Sequence, residues 1–402
     1  MHLCASNIGG YVFSEKNILR TVLDFETSRF PDAHPHRKSA RAISWAAIDE
    51  GQWFRYYTDP DFSSFLQKVL NDTTLLIGIN LKFDIAWAKN IGCTIPMGIR
   101  IWDCQLAEYI LSGQTKSFAS MDELCDRYGI EGKRGGLEEY WNAGIETRDI
   151  PLSILEKYNV GDVRRTLQIY ESQLKDGRMT DALKKLILLQ GLDLLVLLQM
   201  EENGILYNKQ ASLDKGNEVL AQLEEIKEEL QKEIEFEHFN LDSGDHLSAF
   251  LYGGVVSIDL FSPVTSVYKS GPRQGQEYMQ NKFQETIRRE FPGLFKPLPK
   301  TALKKEGMYQ TGEPVLRQLP CRTKKQRRVI ELLLKQAELS KQVGSFLHAL
   351  PELIDKMEWG DVIHATYNQC VARTGRLSCS KPNAQQWDEE TSRFWISRYP
   401  GG

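Results

Sequence analysis

The 402 residues predict an α/β fold in the first part of the chain and a mainly helical region after it. Three observations carry this. Thr21-Val-Leu-Asp-Phe-Glu26 and Leu75-Leu-Ile-Gly-Ile-Asn80 are short apolar runs of strand length. Stretches of helical period separate and follow them, so that strands and helices alternate. From Met179 onward, leucine-rich and then charged helical stretches take over.

Side chains alternate across a strand, so Leu23 and Phe25 point to a core while Asp24 and Glu26 project together from the opposite face. Two adjacent carboxylates repel, and without a cation between them one is driven towards its neutral form. Hard divalent ions take oxygen ligands from carboxylates, so the pair is a candidate metal cradle; a strand running into an acidic turn is the other reading of these two alone. Thr27 to Ser39 reads as a loop with a solvated His34-Pro-His36. Ala42–Ile48 and Trp53–Thr58 read as strands around Asp49-Glu50-Gly51, and Asp61–Leu70 as a helix capped by Asp61.

The strand at Leu75 runs into Leu81-Lys82-Phe83-Asp84, which delivers a third acid at a strand-to-helix junction. Asp103 reads as the N-cap of Cys104–Leu111, and Met121–Tyr128 as a short helix before a glycine-rich connection, Gly129 to Gly136. Pro151 to Tyr170 reads as a helix with Tyr158 and Asp162 at i and i+4, on one face; a surface hydrogen-bonded pair is the alternative for those two. Glu138, Glu139 and Asp149 read as surface charges. A domain boundary is placed at Asp176-Gly177, giving domains 1–177 and 178–402. Beyond it, Met179–Glu202 is an apolar helix stopped by Asn203-Gly204, and Glu218–Glu237 a solvated charged one. Ser262–Gly312 is a basic stretch interrupted by Pro and Gly, read either as a DNA-tracking loop or as a soluble insertion. Arg327–Leu350 reads as a helix pair.

Composition is that of a folded globular chain: 41% hydrophobic, 26% charged, mean hydropathy −0.40. The net charge of −4 hides a division. Val264 to Gly402 carries 23 Lys and Arg against 14 Asp and Glu, a surplus of nine positive charges, and the remainder carries 27 against 40. The carboxyl-terminal third is thus the part suited to phosphate backbones. Seven cysteines without a C-x-x-C pair indicate neither a disulfide framework nor a zinc site. No apolar run has transmembrane length and Met1–Tyr11 has no signal-peptide pattern, so a cytoplasmic protein is expected.

The order Asp24-x-Glu26, Asn80-x-x-x-Asp84, Tyr158-x-x-x-Asp162 resembles the three motifs of proofreading 3′-to-5′ exonucleases, in the form attached to family A DNA polymerases, those of the bacterial DNA polymerase I type and their phage relatives. Thr374-Gly-Arg-Leu-Ser378 followed by Pro382-Asn-Ala-Gln385 resembles that family's primer-template segment. The resemblance implies a ribonuclease H-like exonuclease domain, followed by the thumb and the beginning of the palm of a polymerase domain. It implies that Asp24, Glu26, Asp84 and Asp162 hold two divalent ions, Mg²⁺ or Mn²⁺, and that Tyr158 positions the attacking water. Asn80 and Phe83 would touch the frayed 3′ strand, with a helix cap and a core aromatic as the alternatives. Arg376, Asn383 and Gln385 would contact the primer-template duplex, and Lys341 would serve the thumb; the family's second basic residue two positions later is Val343 here. The Asp-x-Ser-x-x-Glu strand that binds the nucleotide's metals in this family is not among these residues. Proofreading and DNA binding without nucleotide addition are therefore expected, with a second polypeptide supplying the rest of the polymerase. A self-sufficient exonuclease on DNA or RNA, and a non-catalytic DNA-binding accessory, are the alternative readings.

Overall fold

A computed structural model describes residues 19–29, 33–132, 136–271 and 274–397. Met1–Tyr11 with Cys4, Pro31, Arg273 and the Gly401-Gly402 end lie outside them. The chain divides into two compact units, one running to Asn208 and resuming at Glu352, the other Lys209–Pro351.

The first unit is built on a five-stranded sheet. β1 (Arg20–Thr27), β2 (Ala42–Ile48) and β3 (Gln52–Tyr56) form an antiparallel meander. α1 (Phe62–Asp72) leads to β4 (Leu75–Gly78), and α2 (Leu81–Asn90) to β5 (Arg100–Asp103). The order is β3-β2-β1-β4-β5, with β4 parallel to both β1 and β5. α3 (Cys104–Leu111), α4 (Met121–Tyr128), α5 (Glu138–Asn142), α6 (Leu152–Lys175) and α7 (Asp181–Asn203) follow, and then the short β6 (Ile205–Leu206).

Strand alternation sorts the sheet's side chains into two cores. Val22, Ala46, Leu75, Ile77 and Trp102 pack with residues of α3, α4 and α6; Leu23, Phe25, Trp45, Leu76 and Ile101 pack with residues of α1, α2 and α7. Asp24 and Glu26 share the face of Val22, which is the α6 side. That is how a strand and a helix more than a hundred residues apart come to share a site.

Asp103 does more than cap one helix. Its carboxylate accepts from Gln105 N and Leu106 N of α3, at 2.8 and 3.3 Å, and from Leu81 N and Asn80 N at the start of α2, at 2.7 and 3.3 Å. One buried acid thus closes the amino ends of two helices. Asp61 stands at the N-cap position of α1 without a side-chain cap bond and pairs with Arg55 instead. α7 lies past the Asp176-Gly177 division yet belongs to the first unit, with Leu194 and Leu198 in the core beneath the sheet. Gly191 permits this: a Cβ there would lie 2.5 Å from the Ile101 carbonyl oxygen. The other side of α7 leaves Leu189 and Val196 54% and 60% exposed.

The second unit holds α8 (Lys209–Ile234), α9 (Gly244–Tyr252), β7 (Gly254–Val267), β8 (Glu277–Phe291), α10 (Glu313–Leu316), α11 (Lys324–Gln342) and the start of α12 (Ala349–Lys356). α8 begins nine residues before the expected Glu218 and packs on α11 around Leu230, Ile234, Phe250, Phe291 and Leu333. The expected Arg327–Leu350 helix pair is one run, α11 continuing through a π-helical turn at Val343–Leu347 towards α12. The larger difference is at Ser262–Gly312, much of which lies in a long β7–β8 hairpin paired from Gly254↔Phe291 to Val267↔Glu277, with a shift of register between Leu260 and Phe261. β7 alternates covered and exposed positions, with Val256, Ile258 and Leu260 on the covered side, while β8 is exposed along most of its length; the alternation in β7 is a strand signal that the reading of this stretch as a loop or insertion missed.

The chain then returns to the first unit. β9 (Val362–Ile363) pairs with β6, β10 (Thr366–Asn368) with β11 (Ser378–Ser380), and α13 (Glu389–Ser392) follows. This returning segment changes the reading of His34-Pro-His36, which is packed rather than solvated. His36 stacks on His364 at 4.0 Å between ring centroids, and His34 meets Trp359 edge-on at 5.0 Å. Burial, with the neighbouring His36, His364 and Lys381, lowers the His34 pKa to about 3. The six described cysteines are free thiols. Among the described residues no helix is long and apolar enough to cross a membrane.

Candidate active site

Three of the four carboxylates singled out by sequence meet. Asp24 and Glu26 leave β1, Asp162 leaves α6, and one carboxylate oxygen from each lies within 4.8 Å of the others. Asp162 is buried; Asp24 and Glu26 are half-buried. A residue that sequence reasoning missed positions the group. Asn159 is fully buried, donates from Nδ2 to Asp24 Oδ2 at 2.6 Å, and accepts at Oδ1 from Ser44 Oγ at 3.1 Å. It stands one helical turn before Asp162. That i,i+3 spacing was the signal available in the sequence.

Asp84, in the first turn of α2, lies outside the group of three but bears on it. Its Oδ1 accepts the Phe25 backbone N–H at 2.9 Å, which ties the start of α2 to the end of β1 between Asp24 and Glu26. Burial, and next the charge of Asp24, hold the Asp84 carboxyl well above the usual carboxylate range; Asp103 and Glu26 add to this, and the Phe25 amide opposes it. Asp162 is additionally paired with Arg165, three residues on, whose Nε is buried without a hydrogen-bond partner among the described residues. Crowded hard oxygen donors, one of them pushed towards its neutral form by burial and then by its neighbours, fit divalent cations such as Mg²⁺ and suit no soft metal.

The other singled-out residues sit as follows. Tyr158 is half-buried beside Leu137, Ile150 and Leu155, and with Lys157 and Arg165 lines a cleft of about 760 Å³. Asn80 is exposed in the left-handed conformation, φ 55°, with no side-chain cap bond, because Asp103 takes the helix amides instead. Phe83 is half-buried and edge-on to Trp87 at 6.2 Å. Arg376 is exposed in the connection before β11. Asn383 accepts from Gln385 N at 3.2 Å, and Gln385 Nε2 donates to Leu377 O at 3.3 Å. Lys341 is exposed in the last turn of α11, in the second unit.

A layered α/β unit with clustered carboxylates where β1 meets α6 defines a class, the 3′-5′ exonucleases. The family model described as 3′-5′ exonuclease matches residues 30–176, starting just past Asp24 and Glu26, and that of DNA polymerase family A matches residues 271–394. The chain thus resembles the DNA polymerase I-like, family A polymerases, with a match to an exonuclease domain followed by a match to a polymerase-type region. It is 26% identical over 314 residues to the DNA polymerase I of Borreliella burgdorferi, covering 77% of this chain and 28% of that protein. Against the DNA polymerase I of Synechocystis sp. the identity is 25% over 314 residues, covering 76% and 26%. The chain thus spans little more than a quarter of the length of these relatives. The solved POL domain of Pol1 from M. smegmatis, in complex with DNA primer-template and dNTP, shares the fold with a TM-score of 0.63 at 18% identity, over 94% of this chain and 54% of that one.

Proposed function

We propose that this chain removes nucleotides from DNA 3′ ends as a proofreading exonuclease and holds the primer-template of a replicative polymerase. The observation that carries the reading is the meeting of Asp24, Glu26 and Asp162 within 4.8 Å, from elements far apart in the chain. With Asp84 they would hold two divalent cations, Mg²⁺ or Mn²⁺. When bound, such ions supply the positive charge that acidifies an attacking water and stabilises a leaving 3′ oxygen.

The chain's own residues do the rest. Asn159 fixes the Asp24 carboxylate, and Asp84 locks α2 to β1 through the Phe25 amide. Tyr158, one turn before Asp162 on α6, orients the water through its phenol. Arg165 holds Asp162 until a cation competes for it. Asn80 and Phe83 take the terminal nucleotides, Phe83 by stacking. Arg376 reads the minor groove, where every base pair offers an acceptor, and Asn383, Gln385 and Lys341 steady the duplex.

In functional terms residues 1–177 are the exonuclease domain and 178–402 the opening part of the polymerase domain. The cytoplasm of a bacterial host is the setting expected for a phage enzyme of this kind. A 3′-labelled single strand incubated with Mg²⁺ should release labelled mononucleotide, and Asp24→Ala should abolish the release. Equal release by both proteins would overturn the assignment.

A further inference from the structure

The first unit contains a second concentration of polar groups that the carboxylate site does not use. A cavity of about 520 Å³ is lined by His36, Arg37, Lys38, Arg41, Tyr57 and Asn90, among other residues of the 35–42 segment and the end of α2. None of its described lining residues is acidic. Lys38 and Arg41 are exposed at its mouth, while Arg37 is 8% exposed. Glu358 and Ser39 occupy one edge of the Arg37 guanidinium, through Nε, at 3.5 and 3.1 Å. Its Nη1 is buried without a hydrogen-bond partner among the described residues. A guanidinium nitrogen in that state costs free energy until an acceptor reaches it. Tyr57 is 40% exposed, an aromatic ring open to solvent beside the cations.

The lining of the cavity suggests the occupant. Its wall residue Ala42 pairs with Thr27 across a bulge in the β1–β2 register and packs with Leu23 and Phe25, so the cavity lies on the side of the sheet away from Asp24 and Glu26. We propose that this cavity is a nucleotide subsite, in which Arg37, Lys38 and Arg41 take a phosphodiester of a single nucleic-acid strand and Tyr57 stacks on its base. The proposal stands apart from the nuclease reading. A cationic groove with an interleaved aromatic grips a single strand without reading its sequence.

The test uses the full chain and a fluorescein-labelled 12-nucleotide oligothymidylate, with chelator present so that no hydrolysis intervenes. Anisotropy gives the affinity and its salt dependence. The variant Lys38→Ala/Arg41→Ala is compared with Lys68→Ala/Lys185→Ala, which removes two exposed charges elsewhere in the same unit. The first pair should weaken binding several-fold and flatten the salt slope by about 1.4, roughly 0.7 for each phosphate that is no longer neutralised. Tyr57→Ala should weaken binding without changing the slope. Equal losses from the two double variants overturn the proposal. So does uptake of inorganic phosphate by the wild type, abolished in Lys38→Ala/Arg41→Ala, with the oligonucleotide affinity unchanged, since the cavity would then serve a free anion. If the wild type fails to hydrolyse a strand with Mg²⁺ while Lys38→Ala/Arg41→Ala still loses affinity, the nuclease reading fails and the subsite stands.

Discussion

Asn159→Ala removes the group that holds Asp24 in place. The substitution deletes a 2.6 Å hydrogen bond to a carboxylate and leaves the fully buried Ser44 hydroxyl without its Asn159 acceptor. A hydrogen bond to a charged group contributes about 1.5–3 kcal/mol, and a buried polar group left unsatisfied costs about 1–3 kcal/mol. The two losses share one side chain and do not add fully, so a destabilisation of about 3 kcal/mol is expected. The reporter is built in: all eight tryptophans lie in the first unit, so urea unfolding followed by tryptophan fluorescence reads that unit alone. Asn159→Asp provides the companion experiment, because it keeps the volume but sets another carboxylate against Asp24. It should destabilise the unit in chelator and recover on addition of Mg²⁺. An Asn159→Ala midpoint shift worth less than about 0.5 kcal/mol, in the range of an ordinary surface substitution, would refute the positioning role.

Other expectations follow from the same unit. Asp103→Ala, which opens two helix amino ends at once, should cost about 2–4 kcal/mol, whereas Asp61→Ala, which loses a partly exposed ion pair, should cost less than about 1. Comparable effects by urea unfolding would show that Asp103 does not cap both helices. Gly191→Ala should destabilise despite the roughly 1 kcal/mol that alanine gains in a helix, because its methyl group would press on the Ile101 carbonyl. A variant as stable as the wild type would mean that α7 can move off β5 freely. For His34, whose pKa falls to about 3, the unfolded chain takes up a proton below pH 6.5 that the folded unit refuses. Stability should therefore be intact above pH 6.5 and fall by up to about 1.4 kcal/mol per pH unit as the pH drops from there towards 3. His34→Gln should flatten the loss between pH 7 and 5, and an unchanged slope would contradict the buried, neutral imidazole.

β1 to β4 were legible because burial on one or both faces imposes a pattern on sequence, whereas the four-residue β5 and the shorter β6 and β9 to β11 went unread. Leu23 and Phe25 against Asp24 and Glu26 is such a pattern, and Leu75 to Ile77 is a run buried on both sides. What could not be read was set by distance or by exposure. Asn159 carries no composition signal; its meaning comes from Ser44 and Asp24, on strands more than a hundred residues away. His34 and His36 are covered by Trp359 and His364, so nothing near them in sequence marks them as packed. β8 escaped for the opposite reason, since a strand exposed on both faces needs no apolar alternation, whereas the alternation of Val256, Ile258 and Leu260 in β7 was present and went unread. Asp103 was legible as the cap of α3, because the helix it begins is local, but not as the cap of α2, which β4 and β5 bring alongside.

The central claim is that the carboxylates of β1, α2 and α6 form one cation site. Titration of the chelator-treated chain with Mn²⁺, followed by electron paramagnetic resonance of the free ion, tests it directly. Two ions should bind per wild-type chain, and Asp24→Ala should lose at least one of them. A wild type that takes up no Mn²⁺ beyond what Asp24→Ala binds would contradict the account.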